Sequence, residues 1–467
     1  MNSTPGCRIG PVKEFLVLED NATPVVVLVC HHHVGLGIVR SLGRLGVPVY
    51  CIDANRFCPA FFSRYCGGKF LWDLHGSPAS ASLRFLLEVG RKIGRRSVLI
   101  PTSDIAAMFV EDQAAALAEH FIFPNRDAGL IRALCSKRDM YFLAKRWNVP
   151  APETSFPRSR TDVLEYLASA RFPILFKPIY PHLALQRSRP WRMALVHTER
   201  ELLDQYDALE DPSAPNVMLQ EYIPGTDHMT WTFNGYFDEP GECRLAFTGR
   251  KLRNFPPYFG QASFAVCEEN EEVEKMALRF MTSIGYKGPL DLGFRYDARD
   301  GQYKVNDVNP RIGAMFRLFV GQNGMDVARA LYQDMTGQPV FPSLTPEGRK
   351  WIVEDVDLVS SIRYYRDGKF TLRQWINSFR AIQETTFLSR DDPWPIVGAC
   401  LLDAKHALTG ALGVRRRRLQ RDQNGTVATH VGAITNVVSQ IDESITPAQL
   451  NNERRLEEQP ASSRPEP

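Results

Sequence analysis

The run Asp307-Val-Asn309-Pro-Arg311 holds the residue types best suited to chemistry in this chain of 467 residues. If 303–309 is extended, period-two alternation puts Tyr303, Val305, Asp307 and Asn309 on one face. A carboxylate and an amide oxygen then stand about 7 Å apart by strand rise. Hard oxygen ligands at that spacing suit Mg²⁺ held jointly with nucleotide phosphates. Arg311 adds fixed positive charge for the same phosphates or for a carboxylate substrate. The plainer alternative is a strand end where Asp307 and Asn309 bond loop backbone, Pro310 breaks the ladder and Arg311 is solvated.

A second extended run, Asp291 to Asp297, precedes it and is joined to it through the turn residues Arg299-Asp-Gly-Gln302. Two antiparallel strands so linked can set Asp291 beside Asp307, and carboxylates so placed repel unless a cation sits between them. The register that would decide this is not written in the sequence. Lys177 ends the apolar strand Ile174-Leu-Phe-Lys177, where it either reaches phosphates with its stem on apolar surface or snorkels to solvent. Lys137, in Ser136-Lys-Arg-Asp-Met-Tyr141, completes the electrostatic set. Gln220-Glu221-Tyr222-Ile223, before a Pro-Gly turn, offers backbone groups to a purine edge or is simply a strand leaving its sheet.

Positioning these residues requires a mixed α/β scaffold. Val25 to Cys30 is a continuous apolar run of the kind found in a parallel strand covered on both faces. Leu36, Val39, Leu42 and Leu45 then recur at helical spacing, and 47–53 is strand-like again. A helix over 82–94, a strand over 97–100 and a helix capped by Ser103 or Asp104 continue the alternation, so 22–125 reads as an open, doubly wound domain. The turn Gly35-Leu-Gly37 invites a dinucleotide reading, but the third glycine is missing and Arg40 stands near its place. Three adjacent histidines, His31 to His33, cannot all converge on one metal, because neighbouring extended residues alternate sides. A loop facing a ligand cleft and a packed turn remain equal readings for them.

Composition excludes several classes. The chain has 56 basic and 53 acidic side chains, a net charge of +3, which argues against nucleic-acid binding driven by global charge. No apolar run approaches the length of a membrane span, and nine cysteines without a Cys-x-x-Cys pair fit a reducing, cytoplasmic setting. Beyond Pro342 the chain reads as helical and amphipathic to about Leu412. Arg415 to Arg418 then open a polar tail in which 427–441 is apolar enough for a short docked element.

Taken in order, six stretches resemble the ATP-grasp superfamily, and within it the carboxylate–amine ligases related to biotin carboxylase. They are Gly-Leu-Gly-Ile-Val-Arg-Ser-Leu, Ser-Lys-Arg-Asp-Met-Tyr, Phe-Pro-Ile-Leu-Phe-Lys-Pro, Leu-Gln-Glu-Tyr-Ile-Pro-Gly, Arg-Lys-Leu-Arg and Asp-Val-Asn-Pro-Arg, and the match covers roughly residues 22–345. The resemblance implies a Rossmann-like pre-ATP-grasp domain at 22–125 after an N-terminal segment, 1–21. A two-lobed ATP-grasp domain follows at 126–345, with a mobile lid over about 150–225, then a helical extension at 346–414 and a tail at 415–467.

It also implies roles: Lys137 and Lys177 on the α- and β-phosphates of ATP, Gln220 and the hinge Glu221, Tyr222 and Ile223 at adenine, and Asp227 on the ribose. Asp307 and Asn309, with Asp291, would hold Mg²⁺ or, alternatively, Mn²⁺. Lys251, Arg253 and Arg311 would face the γ-phosphate and the acceptor carboxylate. Two departures stand out: Gly293 occupies a position where relatives carry a metal-binding glutamate, and the loop 180–192 has no glycine but has His182, Arg187, Arg189 and Arg192. The sequence therefore points to ATP-dependent joining of a small carboxylate to an amine. An ATP-binding scaffold with reduced chemistry, and weak peripheral membrane contact through the apolar run 394–414 and its arginines, are the alternatives. The sequence does not specify an oligomeric state.

Overall fold

The computed structural model describes residues 18–30, 33–180, 183–184, 191, 193–258 and 260–405. His31, His32, the four basic residues of the 180–192 loop, the run 406–414 and the tail lie outside the described residues.

Three sheets organise the chain. The first is wholly parallel and combines β1 (Val25–Leu28), β2 (Val49–Asp53), β3 (Cys66–Leu71), β4 (Ser97–Pro101) and β5 (Phe121–Ile122) in the order β3-β2-β1-β4-β5. Helices His33–Gly43, Ala79–Ile93 and Asp104–Asp112 connect its strands, the last capped by the Ser103 side chain on the Ala106 amide. The doubly wound expectation is met, with two strands unforeseen: β3 contains Gly67 and Gly68, which weaken the strand pattern, and β5 is too short to show one. The glycine turn serves packing. A Cβ on Gly35 would lie 2.7 Å from the Cys30 carbonyl oxygen, and one on Gly37 would lie 2.8 Å from the Phe316 ring. Arg40 is buried and gives its guanidinium to Asp392 and to the carbonyls of Thr386, Phe387 and Asp392. His33 opens the helix and packs against Trp351 with ring centroids 5.5 Å apart and the rings tilted by 49°.

The second sheet, over 154–221, comprises β6 (Thr154–Ser155), β7 (Ile174–Pro178), β8 (Ala194–Val196) and β9 (Val217–Glu221) in the order β6-β9-β7-β8. The third sheet has seven strands, β10 (Thr230–Phe237), β11 (Cys243–Phe255), β12 (Gln261–Cys267), β13 (Gly288–Asp297), β14 (Gln302–Asn309), β15 (Lys350–Ile352) and β16 (Ile382–Thr385). One of its faces packs on the helices Lys137–Arg146 and Glu271–Ser283 through Met140, Ala277, Phe280, Phe294 and Val305. The segment after 346 carries the expected helices Glu354–Arg366 and Leu372–Ser378, and also contributes β15 and β16, which are too short to show a period of their own. Among the described residues no helix is long and apolar enough to cross a membrane.

Candidate active site

The uncovered end of the seven-stranded sheet gathers the acidic residues. In the β13–β14 ladder Asp291 faces Asn309 and Gly293 faces Asp307, so all four share one surface. The Asn309 side-chain amide donates to Asp291 Oδ2 and to Asp307 Oδ2, each at 3.2 Å, and ties the two carboxylates together. Thr232 Oγ1 donates to Asp291 at 3.2 Å from the neighbouring β10. Burial raises the Asp291 pKa and the nearby Asp307 charge adds to it, against the pull of Arg311. Burial pushes Asp307 the same way, but the Lys137 ammonium, ion-paired to it, outweighs that and holds it below the usual range.

The alternation expected for 303–309 holds only in part. The register slips between the Gly293 and Phe294 pairs, leaving Asn306 as an extra residue, and Val305 then pairs Phe294 and turns to the core. Lys304 takes its place on the polar surface and binds Glu221, Asp297 and Asp300.

Cations surround this acidic centre. Arg311 donates through Nε to Asp104 Oδ1 at 2.7 Å and through Nη2 to Asn309 Oδ1 at 3.1 Å, which links the end of the parallel sheet to the acids. Lys177 Nζ donates to Gln220 Oε1 at 2.7 Å, and Gln220 in turn donates to Thr154 at 3.0 Å. Burial and the charge of Lys137 depress the Lys177 pKa to about 8. Lys251 is lowered by burial against the opposing pull of Asp291 and Asp307. Lys137 and Lys177 line a cavity of about 270 Å³ between the four-stranded sheet and β14, floored by Met140, Ala151, Met218 and Val305. Trp191, Met193 and Thr154 also line it. No sequence signal marked Trp191 or Met193, because an apolar lining residue looks like any core residue.

No protein-family model matches the chain. It is 27% identical over 320 residues to the D-aspartate ligase of Enterococcus faecium (strain Aus0004), covering 66% of this chain and 76% of that protein. Its fold is similar to N5-carboxyaminoimidazole synthetase from Staphylococcus aureus complexed with ADP, with a TM-score of 0.56 at 14% identity over 76% of this chain and 89% of that one. The chain has the ATP-grasp fold of the carboxylate–amine ligases. The biotin carboxylase domain of the Hydrogenobacter thermophilus 2-oxoglutarate carboxylase, in complex with MgADP, ADP and bicarbonate, shares this ATP-grasp architecture with a TM-score of 0.52 at 15% identity, over 69% of this chain and 72% of that one.

Within the ATP-grasp frame, Arg253, Asp227 and the hinge residues Glu221, Tyr222 and Ile223 do not line the cavity that holds Lys137 and Lys177. Arg253 does not join Lys251. The β11–β12 register pairs Lys251 with Ala265 but Arg253 with Phe264, so Leu252 is an extra residue and the two cations emerge on opposite faces. Arg253 is buried, bidentate on Asp357 at 2.9 and 2.7 Å, with its guanidinium 4.3 Å from the Phe264 ring centroid. Asp227 is turned inward by the short 3-10 turn Asp227–Met229 and accepts from Asn254 at 2.8 Å and from the Tyr364 hydroxyl. Glu221 gives its amide to the Glu153 carbonyl and its carboxylate to Lys304 and Arg299, while the Ile223 carbonyl accepts from Arg295 at 2.8 Å. Of the adenine-side residues, only Gln220 lines the cavity; Glu221, Tyr222 and Ile223 do not.

Proposed function

We propose that the protein is an ATP-dependent ligase in which a substrate carboxylate oxygen attacks the γ-phosphorus, ADP leaves, and an amine nitrogen then displaces phosphate from the acylphosphate. The observation that supports this most is the convergence of Asp291, Asp307 and Asn309 opposite Lys137 and Lys177. The donor set of two carboxylates and one amide, held together although like charges repel, fits Mg²⁺, which would neutralise phosphate charge when bound by those residues. The apolar floor of Met140, Met218 and Val305 suits a purine base. Lys177 would exchange Gln220 for phosphate oxygens, and Arg311 would orient the acceptor carboxylate with its fork geometry. Positioning and electrostatics of this kind suffice for phosphoryl transfer without a protein nucleophile. The substrates are small carboxylates and amines, the D-aspartate ligase resemblance favouring amino acids.

The test is ADP release with pooled carboxylates and amines, followed by mass spectrometry. An ¹⁸O-labelled carboxylate should deliver one labelled oxygen to the released phosphate. Unlabelled phosphate would exclude an acylphosphate. ATP binding without ADP from any pool would instead favour a scaffold role, the reading that Gly293 supports.

Two further outcomes follow from local geometry. A Cβ on Gly313 would lie 2.3 Å from Asp291 Cγ and 2.6 Å from its Oδ1, whereas one on Gly293 meets Asp307 Cβ at an ordinary 3.5 Å. Gly313→Ala should therefore cut ADP release by about 10²-fold by displacing a carboxylate on the order of an ångström. Gly293→Ala should stay within about threefold of the parent, an asymmetry that initial-rate assays resolve.

Lys177, at about 8, loses its proton at lower pH than an ordinary lysine at 10.5. Bound phosphates favour the ammonium and move it back up, so nucleotide affinity is full below that pH and declines as pH rises through it. At about pH 8.5, ATP binding should take up most of one proton, read as a buffer-dependent heat in titration calorimetry. At about pH 6.5 Lys177 is already charged and should contribute no uptake. A heat independent of buffer at the higher pH would remove Lys177 from the phosphate site.

A further inference from the structure

The helix Glu354–Arg366 is inside out. Its buried positions are Asp357, Ser360, Ser361 and Tyr364, while Leu358, Val359, Ile362 and Tyr365 are each between 50% and 58% exposed. At 100° per residue the exposed four fall on one arc opposite the buried four. The polar inner face has a reason: Asp357 takes Arg253 and Ser263, Ser360 Oγ donates to the Asn254 carbonyl, and Tyr364 takes Asp227. Nothing within the described fold accounts for the apolar outer face. The next helix, Leu372–Ser378, buries no residue and exposes Leu372 and Ile376 at i and i+4. An outward apolar arc like that of Glu354–Arg366 marks an interaction surface.

The charges around it select the partner. Every exposed charged residue from 354 to 380 is basic: Arg366, Lys369, Arg373 and Arg380. The acids of the same stretch are at least partly buried and engaged with the protein. Glu354 accepts backbone amides of Thr386, Phe387 and Leu388, Asp355 accepts the Val356 amide, Asp357 binds Arg253, and Asp367 accepts from the Tyr258 hydroxyl and Arg363. Apolar side chains rimmed by cations match a surface with an anionic outer layer over an apolar interior. We infer that the outer face of the helix Glu354–Arg366 docks on anionic lipid bilayers, with Leu358, Val359 and Ile362 entering the headgroup boundary and Arg366 meeting lipid phosphates.

The full chain should sediment with vesicles containing about 30% phosphatidylserine and stay in solution with phosphatidylcholine vesicles, binding falling as salt is raised. The variants Val359→Glu with Ile362→Glu, and Arg366→Glu, should each lower the partition coefficient by at least about tenfold, since each basic charge near such a surface contributes roughly 1 kcal/mol. All three side chains point to solvent, so melting temperature and ADP release should be unchanged, which separates docking from folding and from the ligase proposal. Three results would overturn the inference. One is equal sedimentation with neutral and anionic vesicles. A second is undiminished binding by both variants, which would move the contact to another part of the chain such as 415–418. The third is a dimer in solution, without vesicle binding, that Val359→Glu with Ile362→Glu converts to a monomer; this would give the face to a second copy.

Discussion

Asp307→Asn should reduce carboxylate-dependent ADP release by about 10²–10³-fold while barely changing the melting temperature. The two effects separate because they draw on different terms. The Lys137–Asp307 pair is half open to solvent, with side-chain exposures of 32% and 42%, and ion pairs so exposed contribute about 0–1 kcal/mol to folding. For chemistry, Asp307 is one of two formal negative charges in the cation set, and losing one preorganised electrostatic partner costs about 3–4 kcal/mol in the transition state. Asn at 307 keeps the shape and an oxygen, so the change isolates charge. Raising Mg²⁺ should recover part of the lost rate. A variant with parental turnover would detach the acidic cluster from the reaction, and differential scanning fluorimetry alongside initial rates would show it.

Arg253→Met should do the reverse. Asp357 is fully buried and keeps only Ser263 and Ser361 as partners once the guanidinium is gone. An uncompensated buried carboxylate costs about 3–5 kcal/mol, a large part of the stability of a domain. Urea unfolding should show that loss as a lower midpoint. At low temperature, where the variant remains folded, its KM for ATP should stay within about threefold of the parent. A normal midpoint with a raised KM would return Arg253 to the phosphate site.

The contrast between Asp307 and Arg253 shows what the amino-acid order reveals and what it hides. The parallel domain was legible because continuous apolar strands and helical periodicity alternate over 22–125. The acidic centre was legible because Asp307 and Asn309 sit two apart, with Asp291 one hairpin away. Face assignments failed at two places for one reason. A single extra residue at Leu252 and another at Asn306 each invert everything beyond them, and neither residue type announces a bulge. The inward turn of Asp227 was not legible because its partners Asn254 and Tyr364 are distant in sequence. The strands Lys350–Ile352 and Ile382–Thr385 escaped notice because three or four residues cannot display a period.

The anchoring of Arg40 bears on how the chain matures on the ribosome. Its guanidinium is buried in the first parallel unit, yet its acceptors are supplied by residues 386–392, some 346 to 352 positions later. Until that stretch has emerged, Arg40 has neither its counter-charge nor the carbonyls that bury it, so its guanidinium stays hydrated and that side of the amino-terminal unit stays open. Its final consolidation therefore belongs after most of translation is complete. Premature termination before residue 386 should yield a species that chaperones retain rather than release.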